Sequence, residues 1–128
     1  MTRQLTYKDA VNEAIRLEMR RDSSVILIGE DVAGGAGNDH IPGALDAWGG
    51  PFGVTKNLVT EFGRERVIDS LLAETGFVGA CIGATFAGMR PIAEIMYSDF
   101  IGTSFDQILN HAAKLRFTYG GKVSIPLV

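Results

Sequence analysis

The chain has 128 residues, of which 46% are hydrophobic and 21% charged, a composition typical of one globular domain with a substantial core. The net charge is −3 without a basic run, which argues against nucleic acid as a partner because phosphate contacts need clustered Lys and Arg. No apolar run reaches the roughly 20 residues of a membrane span, and the N-terminus lacks a signal-peptide core. The single cysteine, Cys81, is expected to be a small buried residue. These features predict a cytoplasmic protein that binds no membrane.

The first thirty residues predict one helix and one buried strand. Thr6 and Asp9 approximate a capping box, and apolar residues at helical spacing follow them. The unbroken apolar run over residues 25–28 is typical of a strand that is buried on both faces. Glu30 and Asp31 come directly after this strand. From their position alone, they belong either to a site at the strand end or to an ordinary polar loop.

Residues 33–53 are rich in glycine and contain two prolines, which predicts a long irregular segment. Such a loop inside a compact domain is usually functional or disordered. It contains His40, to which we assign no role, and Trp48, a residue type enriched at protein interfaces. A short helix is predicted over Thr55 to Phe62.

The stretch over residues 67–100 is the one around which the chain is organised. The apolar run over residues 67–72 predicts a strand, Glu74 follows it, and small residues at helical spacing then predict a helix. A second apolar run over residues 91–96 predicts the next strand, which leads to Phe100. In open parallel sheets, ligands bind outside the carboxyl ends of the strands. We therefore expect Glu74 and Phe100 to lie at the same edge.

Both residues also have a purely structural explanation. An acid at the start of a helix interacts favourably with the helix dipole, and Phe100 could simply be a core residue. The glycines of the small-residue helix are spaced G-x-x-G-x-x-x-G, which differs from the dinucleotide-binding fingerprint. No Lys-Ser or Lys-Thr pair follows a glycine as in a phosphate-binding loop, so a generic nucleotide-binding domain is the weakest interpretation.

The C-terminal part predicts one long helix from Asp99, with an apolar stripe from Ile101 to Leu115, and a strand that begins within residues 123–128. Helices and strands alternate along the chain, which predicts a parallel sheet. The expected fold class is therefore α/β, a three-layer parallel sheet with helices on both faces.

Several segments occur in an order that closely resembles one protein family: Glu30-Asp31-Val32 after an apolar run, WGGPFGVTKNL, LLAETGFVGACIGATFAGMRPIAEIMYSDF and DQILNHAAKLR. From about residue 5 to residue 128, the chain resembles the β subunit of the thiamine-diphosphate-dependent first component of 2-oxo acid and acetoin dehydrogenase complexes. The family holds its cofactor between two domain types, and the chain lacks the Gly-Asp-Gly segment of the diphosphate-binding type. The resemblance thus implies the pyrimidine-binding domain of a transketolase-like subunit.

The resemblance also implies site residues. Glu74 matches the catalytic carboxyl group, which bonds to ring nitrogen N1′ of the aminopyrimidine and drives the ring to its imino tautomer. Phe100 matches the aromatic residue that packs on this ring, Leu72 and Met96 match positions that line it, and Glu30 is expected to face the same pocket. Thiamine diphosphate would be shared with an α subunit, which would also carry Mg²⁺, and no metal site is expected on this chain.

The reaction implied is oxidative decarboxylation of a 2-oxo acid, or cleavage of acetoin, with acyl transfer to a lipoyl group. The implied partners are an α subunit, in an assembly of two α and two β chains, and a lipoyl acyltransferase component. Family members continue into a catalytic histidine, which neither His40 nor His111 matches, and a docking domain. Residues 1–128 are therefore expected to be an incomplete domain that is inactive alone. The alternative is a non-catalytic interaction module, with the small-residue helix and the Trp48 loop as its interface.

Overall fold

The computed structural model describes residues 3–35 and 49–128, so His40 and Trp48 lie outside the described residues. Helices and strands alternate in the predicted order up to Glu94. The elements are α1 (Tyr7–Arg21), β1 (Val25–Glu30), α2 (Leu58–Phe62), β2 (Val67–Ser70), α3 (Glu74–Phe86), β3 (Arg90–Glu94), a 3-10 helix (Ser98–Gly102), a π-helix (Gln107–Ala112) and α4 (Leu115–Thr118).

The three strands form a parallel sheet in the order β2-β1-β3, which confirms the predicted α/β class. Leu27 in the central strand is the register partner of Val67 on one side and of Ile92 on the other. The strand predicted over residues 123–128 does not form, although β3 exchanges two backbone hydrogen bonds with Val128. The backbone N–H of Val128 donates to the carbonyl of Pro91 over 3.1 Å, and the carbonyl of Val128 accepts from the N–H of Ala93 over 2.8 Å.

The central strand supplies apolar side chains to both faces of the sheet, because successive residues of a strand point to opposite sides. Val25 and Leu27 belong to one buried cluster, and Ile26 and Ile28 belong to another. Burying one such side chain contributes about 1.5–3 kcal/mol to the free energy of unfolding. The first cluster includes residues of α1 and α2, and the second includes residues of α3 and of the C-terminal helical segments. Helices therefore cover both faces, as the three-layer prediction requires.

Helix α1 begins where the capping pattern predicts. The Thr6 side chain accepts a hydrogen bond from the backbone N–H of Asp9 over 3.2 Å, and the Thr6 hydroxyl donates to the Asp9 carboxylate over 2.6 Å. The first contact satisfies one of the backbone donors that have no partner within the first helical turn.

Three predicted element boundaries were wrong. The short helix begins at Leu58 rather than Thr55, because Asn57 adopts a left-handed conformation with φ of 64°. Strand β2 ends at Ser70 rather than residue 72, and strand β3 ends at Glu94 rather than residue 96. At both strand ends, apolar residues continue past the last ladder pairing, which the hydrophobic pattern alone does not reveal.

The long helix predicted from Asp99 is broken into a 3-10, a π and a short α segment. Hydroxyl side chains explain the tight first segment. The Thr103 hydroxyl donates to the carbonyl of Phe100 over 2.8 Å, and the Ser104 hydroxyl donates to the carbonyl of Ile101 over 3.2 Å. Such side-chain bonds compete with the regular α-helical ladder.

In the part of the chain that the structure describes, every helix is too short or too polar to cross a membrane.

Candidate functional site

The carboxyl ends of the three parallel strands meet at one edge of the sheet. Strand β1 ends at Glu30, whose register partner on β2 is Ser70. On the other side, Gly29 is the register partner of Glu94, the last residue of β3. Polar side chains on three adjacent strands are thus brought to the edge where parallel sheets bind ligands.

Two carboxyl groups at this edge are electrostatically coupled to their neighbours. Burial, and then the charges of Asp31 and Glu74, raise the pKa of Glu30. Burial, and then the charge of Glu30, raise the pKa of Glu94 to about 7. Glu30 therefore interacts with Glu74 on one side and with Glu94 on the other. A carboxyl group that titrates near neutral pH can hold or release a proton under ordinary conditions.

Two buried polar atoms at the edge have no hydrogen-bond partner among the described residues: Glu94 Oε2 and Ser70 Oγ. Leaving such a group unsatisfied costs about 1–3 kcal/mol, and in a native structure it indicates strain, catalysis or an additional bound group. Both atoms lie at the ends of the strands that flank Glu30. The edge therefore has spare hydrogen-bonding capacity.

Glu74 is the first residue of α3, and the residue before it, Ala73, provides no side-chain cap. The carboxylate lies where it interacts favourably with the helix dipole, as the structural explanation of this acid expected. It also belongs to the edge, because its charge acts on Glu30. Its Oε2 lies 3.5 Å from the hydroxyl of Thr103, in the turn after the 3-10 helix. Glu74 thus interacts with the dipole of α3 and also lies at the carboxyl edge of the sheet.

A row of aromatic rings follows strand β3. The centroid of the Tyr97 ring is 6.3 Å from that of Phe100 and 5.4 Å from that of Phe52, both in edge-to-face arrangements. All three side chains are exposed, with 40% of Phe100 accessible. Exposed aromatic rings in a row can pack against a flat ligand, because ring faces and edges attract each other.

The structure brings Glu30, Glu74 and the segment that carries Phe100 to the same edge of the sheet. Met96 is half-buried in the same segment, directly before Tyr97. Leu72 lies in the connection between β2 and α3 with 73% of its surface exposed, so it contributes little to the core. The contacts of Leu72, Met96 and Phe100 with a ligand stay predictions.

The sequence analysis missed Glu94, Ser70, Tyr97 and Phe52. Glu94 had a signal, because it is an acid at the carboxyl end of a parallel strand, the rule that singled out Glu30. It was overlooked because the apolar run over residues 91–96 was interpreted as one uninterrupted strand. No sequence signal indicated Phe52, because its contact with Tyr97 joins residues that are 45 positions apart in the sequence.

Other reactive groups do not add to the edge. Cys81 is fully buried in α3, and burial raises the pKa of its thiol to about 11, which confirms the predicted role as a small core residue. Within residues 3–35 and 49–128, no three His, Cys, Asp or Glu side chains are arranged to hold a metal ion.

Comparison with known proteins gives a consistent match. Residues 3–124 match the family model described as transketolase, pyrimidine binding domain. The chain is 54% identical over 127 residues to the acetoin:2,6-dichlorophenolindophenol oxidoreductase subunit beta of Bacillus subtilis, covering 99% of this chain and 37% of the relative. It is 56% identical over 128 residues to the subunit of the same name from Cupriavidus necator, covering 100% of this chain and 37% of the relative.

A second group of relatives is more distant. The chain is 41% identical over 125 residues to the pyruvate dehydrogenase E1 component subunit beta of Rickettsia conorii, covering 98% of this chain and 34% of the relative. The chain therefore spans about a third of the length of these curated relatives.

Proposed function

The chain belongs to the transketolase pyrimidine-binding domain family, and on that premise we propose that it holds the aminopyrimidine ring of thiamine diphosphate at the carboxyl edge of its sheet. The observation that carries this proposal is the position of Glu74 at the start of α3, coupled to Glu30 and close to Thr103 in the segment that carries Phe100. A carboxyl group beside exposed aromatic rings is what a flat, nitrogen-containing ring requires for orientation.

The residues at the edge fit such a ring. Phe100 and Tyr97 offer aromatic surface, and Met96 offers a polarizable side chain next to them. The unsatisfied Ser70 Oγ and Glu94 Oε2 offer polar atoms that a ligand with donors and acceptors can pair with. Leu72 is exposed and free to cover part of the ring.

Thiamine diphosphate, when bound, supplies the nucleophilic carbon of its thiazolium ring, so the protein contributes binding, orientation and electrostatics. Glu74 would hold or release a proton towards ring nitrogen N1′ of the aminopyrimidine. The charge of Glu30 helps to raise the pKa of Glu94, and the aromatic residues would fix the plane of the ring. Acid–base groups of this kind contribute about 10²–10⁴-fold to rate.

The proposed whole enzyme is a thiamine-diphosphate-dependent oxidoreductase in which residues 1–128 form the pyrimidine-binding part of a β subunit. It would cleave acetoin or decarboxylate a 2-oxo acid oxidatively, with acyl transfer to a lipoyl group. Its partners would be an α subunit that carries Mg²⁺, in an assembly of two α and two β chains, and a lipoyl acyltransferase component, in the cytoplasm. Acetoin is the first substrate to test, because the two relatives named for acetoin are 54% and 56% identical, whereas the pyruvate dehydrogenase subunit of Rickettsia conorii is 41% identical.

Titration calorimetry with thiamine diphosphate tests the proposal, on the chain assembled with its α subunit in the presence of Mg²⁺. We expect saturable binding, and binding of comparable or weaker affinity for Glu74→Gln, which keeps the size of the side chain. Glu13→Gln is the matched control, because the partner of Glu13 among the described residues is Arg3, on the surface of α1. An assembly that binds no thiamine diphosphate would support the non-catalytic interaction module instead.

A further inference from the structure

Asn12 on helix α1 is bound to a turn far away in the sequence. Its side-chain Nδ2 donates to the carbonyl of Val54 over 2.6 Å and to the carbonyl of Lys56 over 3.1 Å. Its Oδ1 accepts from Arg16 over 3.0 Å, and Arg16 also donates to the carbonyl of Lys56 over 3.3 Å. Both ends of the Asn12 side-chain amide therefore have partners, with Nδ2 bound to the turn and Oδ1 bound to Arg16.

The segment that Asn12 holds, residues 49–57, is called the 49–57 turn below. It closes on itself through the N–H of Thr55, which donates to the carbonyl of Gly49 over 2.9 Å. Gly49 has a φ of +74°, and a Cβ atom there would lie 1.9 Å from the backbone nitrogen of Lys56, so no side chain fits. The turn is thus a compact, closed unit.

The same turn is fastened to the exit of strand β1. The N–H of Gly50 donates to the carbonyl of Asp31 over 3.1 Å. The hydroxyl of Thr55, which is 1% exposed, donates to the carbonyl of Val32 over 3.0 Å. These two bonds attach the turn to the residues that directly follow Glu30.

The turn also covers Glu94. A Cβ atom placed on Gly50 would lie 3.4 Å from Glu94 Oε2 and 3.7 Å from Oε1, so the backbone of the turn passes close to the carboxyl group. The 49–57 turn therefore forms a wall of the edge described above. It lies beside Glu94 Oε2, the buried carboxyl oxygen that has no hydrogen-bond partner among the described residues.

We propose that Asn12 is a positioning residue, which holds the 49–57 turn over Glu94 and the exit of β1 and so shapes the pocket for the aminopyrimidine ring. This inference rests on the proposed function for the identity of the ligand. The attachment of the 49–57 turn by Asn12 does not depend on the identity of the ligand, because the contacts of Asn12 and Glu94 with the turn lie within the chain.

Asn12→Asp tests whether the hydrogen bonds from Asn12 position the 49–57 turn, with a side chain of the same size. The substitution places a carboxylate against two backbone carbonyls and removes both donated hydrogen bonds. Thr55→Val is the second variant, which removes the bond to Val32 without changing the shape of the side chain, and Glu13→Gln on the same helix is the control. Circular dichroism verifies that each variant is folded.

The direct readout is the titration of the Glu94 carboxyl carbon by NMR, assigned through Glu94→Gln. Glu30 is the charged group that acts on Glu94 from the neighbouring strand, and it is unchanged in both variants. Opening the turn admits water, so we expect the Glu94 midpoint to fall from about 7 by about one pH unit in Asn12→Asp and in Thr55→Val. Glu13→Gln is expected to leave it unchanged. A Glu94 midpoint that stays the same in both folded variants would overturn the inference.

Thiamine diphosphate affinity in the assembly with the α subunit is the second readout. We expect Asn12→Asp to weaken binding about tenfold or more, because small displacements of a pocket wall are costly for ligand alignment. If the unsubstituted assembly binds no thiamine diphosphate while the Glu94 midpoint still falls, the proposed function fails and the positioning role of Asn12 stands. An affinity unchanged by Asn12→Asp, with normal binding in the unsubstituted assembly, contradicts the link between the turn and the pocket.

Discussion

The hydroxyl of Thr103 lies 3.5 Å from Oε2 of Glu74, which joins the start of α3 to the turn that follows the 3-10 helix. The same hydroxyl donates to the carbonyl of Phe100 over 2.8 Å. A carboxyl group and an aromatic residue that are 26 positions apart are thereby tied to one threonine.

Phe100→Ala is expected to weaken thiamine diphosphate binding by about tenfold, because stacking of an aromatic side chain on a base-like ring is worth about 1–3 kcal/mol. Phe86→Ala is the matched control. Phe86 is similarly exposed, at 51%, and it is the last residue of α3, at the opposite end of that helix from Glu74. Its ring packs against the ring of Tyr119. Calorimetry on the assembly with the α subunit measures both. Equal losses of affinity in the two variants would show that Phe100 has no special place in the site.

Glu94 is expected to make stability depend on pH. Because its pKa is raised to about 7 in the folded chain from 4.5, the folded state binds its proton more tightly than the unfolded state does. The stability this provides is complete below about pH 4.5 and is lost as the pH rises through 7. The raised pKa of Glu30 acts in the same direction.

Urea unfolding at pH 5 and pH 8 measures this effect. The unsubstituted chain is expected to lose roughly 2–3 kcal/mol over this interval from Glu94 alone, at about 1.4 kcal/mol for each unit of pKa shift. Glu94→Gln should flatten the dependence, and Glu13→Gln should leave it as it is. A dependence that is equally steep in Glu94→Gln would mean that other groups cause it.

Asp69 is expected to be a stability residue. Its side chain is 3% exposed, accepts from the backbone N–H of Ala33 over 2.6 Å, and pairs with Arg64 over 3.1 Å. Arg64 in turn donates to the carbonyl of Ala33 over 2.9 Å, so the three residues fasten the end of β1 to the end of β2. Asp69→Asn should lower the free energy of unfolding by about 1.5–3 kcal/mol, the worth of hydrogen bonds to a charged group.

Urea denaturation measures the loss, with Glu13→Gln as a surface control expected to change stability by less than about 0.5 kcal/mol. If Asp69→Asn is as stable as the control, the fastening of the two strand ends contributes nothing to folding.

The sequence predicts the layers of this fold better than its boundaries. The unbroken run around Leu27 and the small-residue pattern of α3 are local features, so the central strand and its covering helix could be inferred directly. The broken helix after Asp99 could not, because it depends on where the hydroxyls of Thr103 and Ser104 point. Periodicity places these two residues in a helix without revealing the competing bonds.

The site was predictable to the extent that it follows from strand ends and from the family motifs. Glu30 and Glu74 come after apolar runs, and the structure brings their charges within interaction range. The wall formed by the 49–57 turn was not predictable, because Asn12 meets Val54 across 42 positions of sequence. No local pattern encodes a contact between a helix face and the carbonyls of a distant turn.

The measurement that tests the central claim most directly is turnover of the assembled enzyme that carries Glu74→Gln, with thiamine diphosphate saturating and acetoin as the first substrate. The variant keeps the shape of the side chain and loses its acidic proton. We predict a decrease in kcat of at least about 100-fold, with folding and assembly with the α subunit unchanged. A well-folded, cofactor-saturated Glu74→Gln enzyme that retains most of its activity would contradict the account.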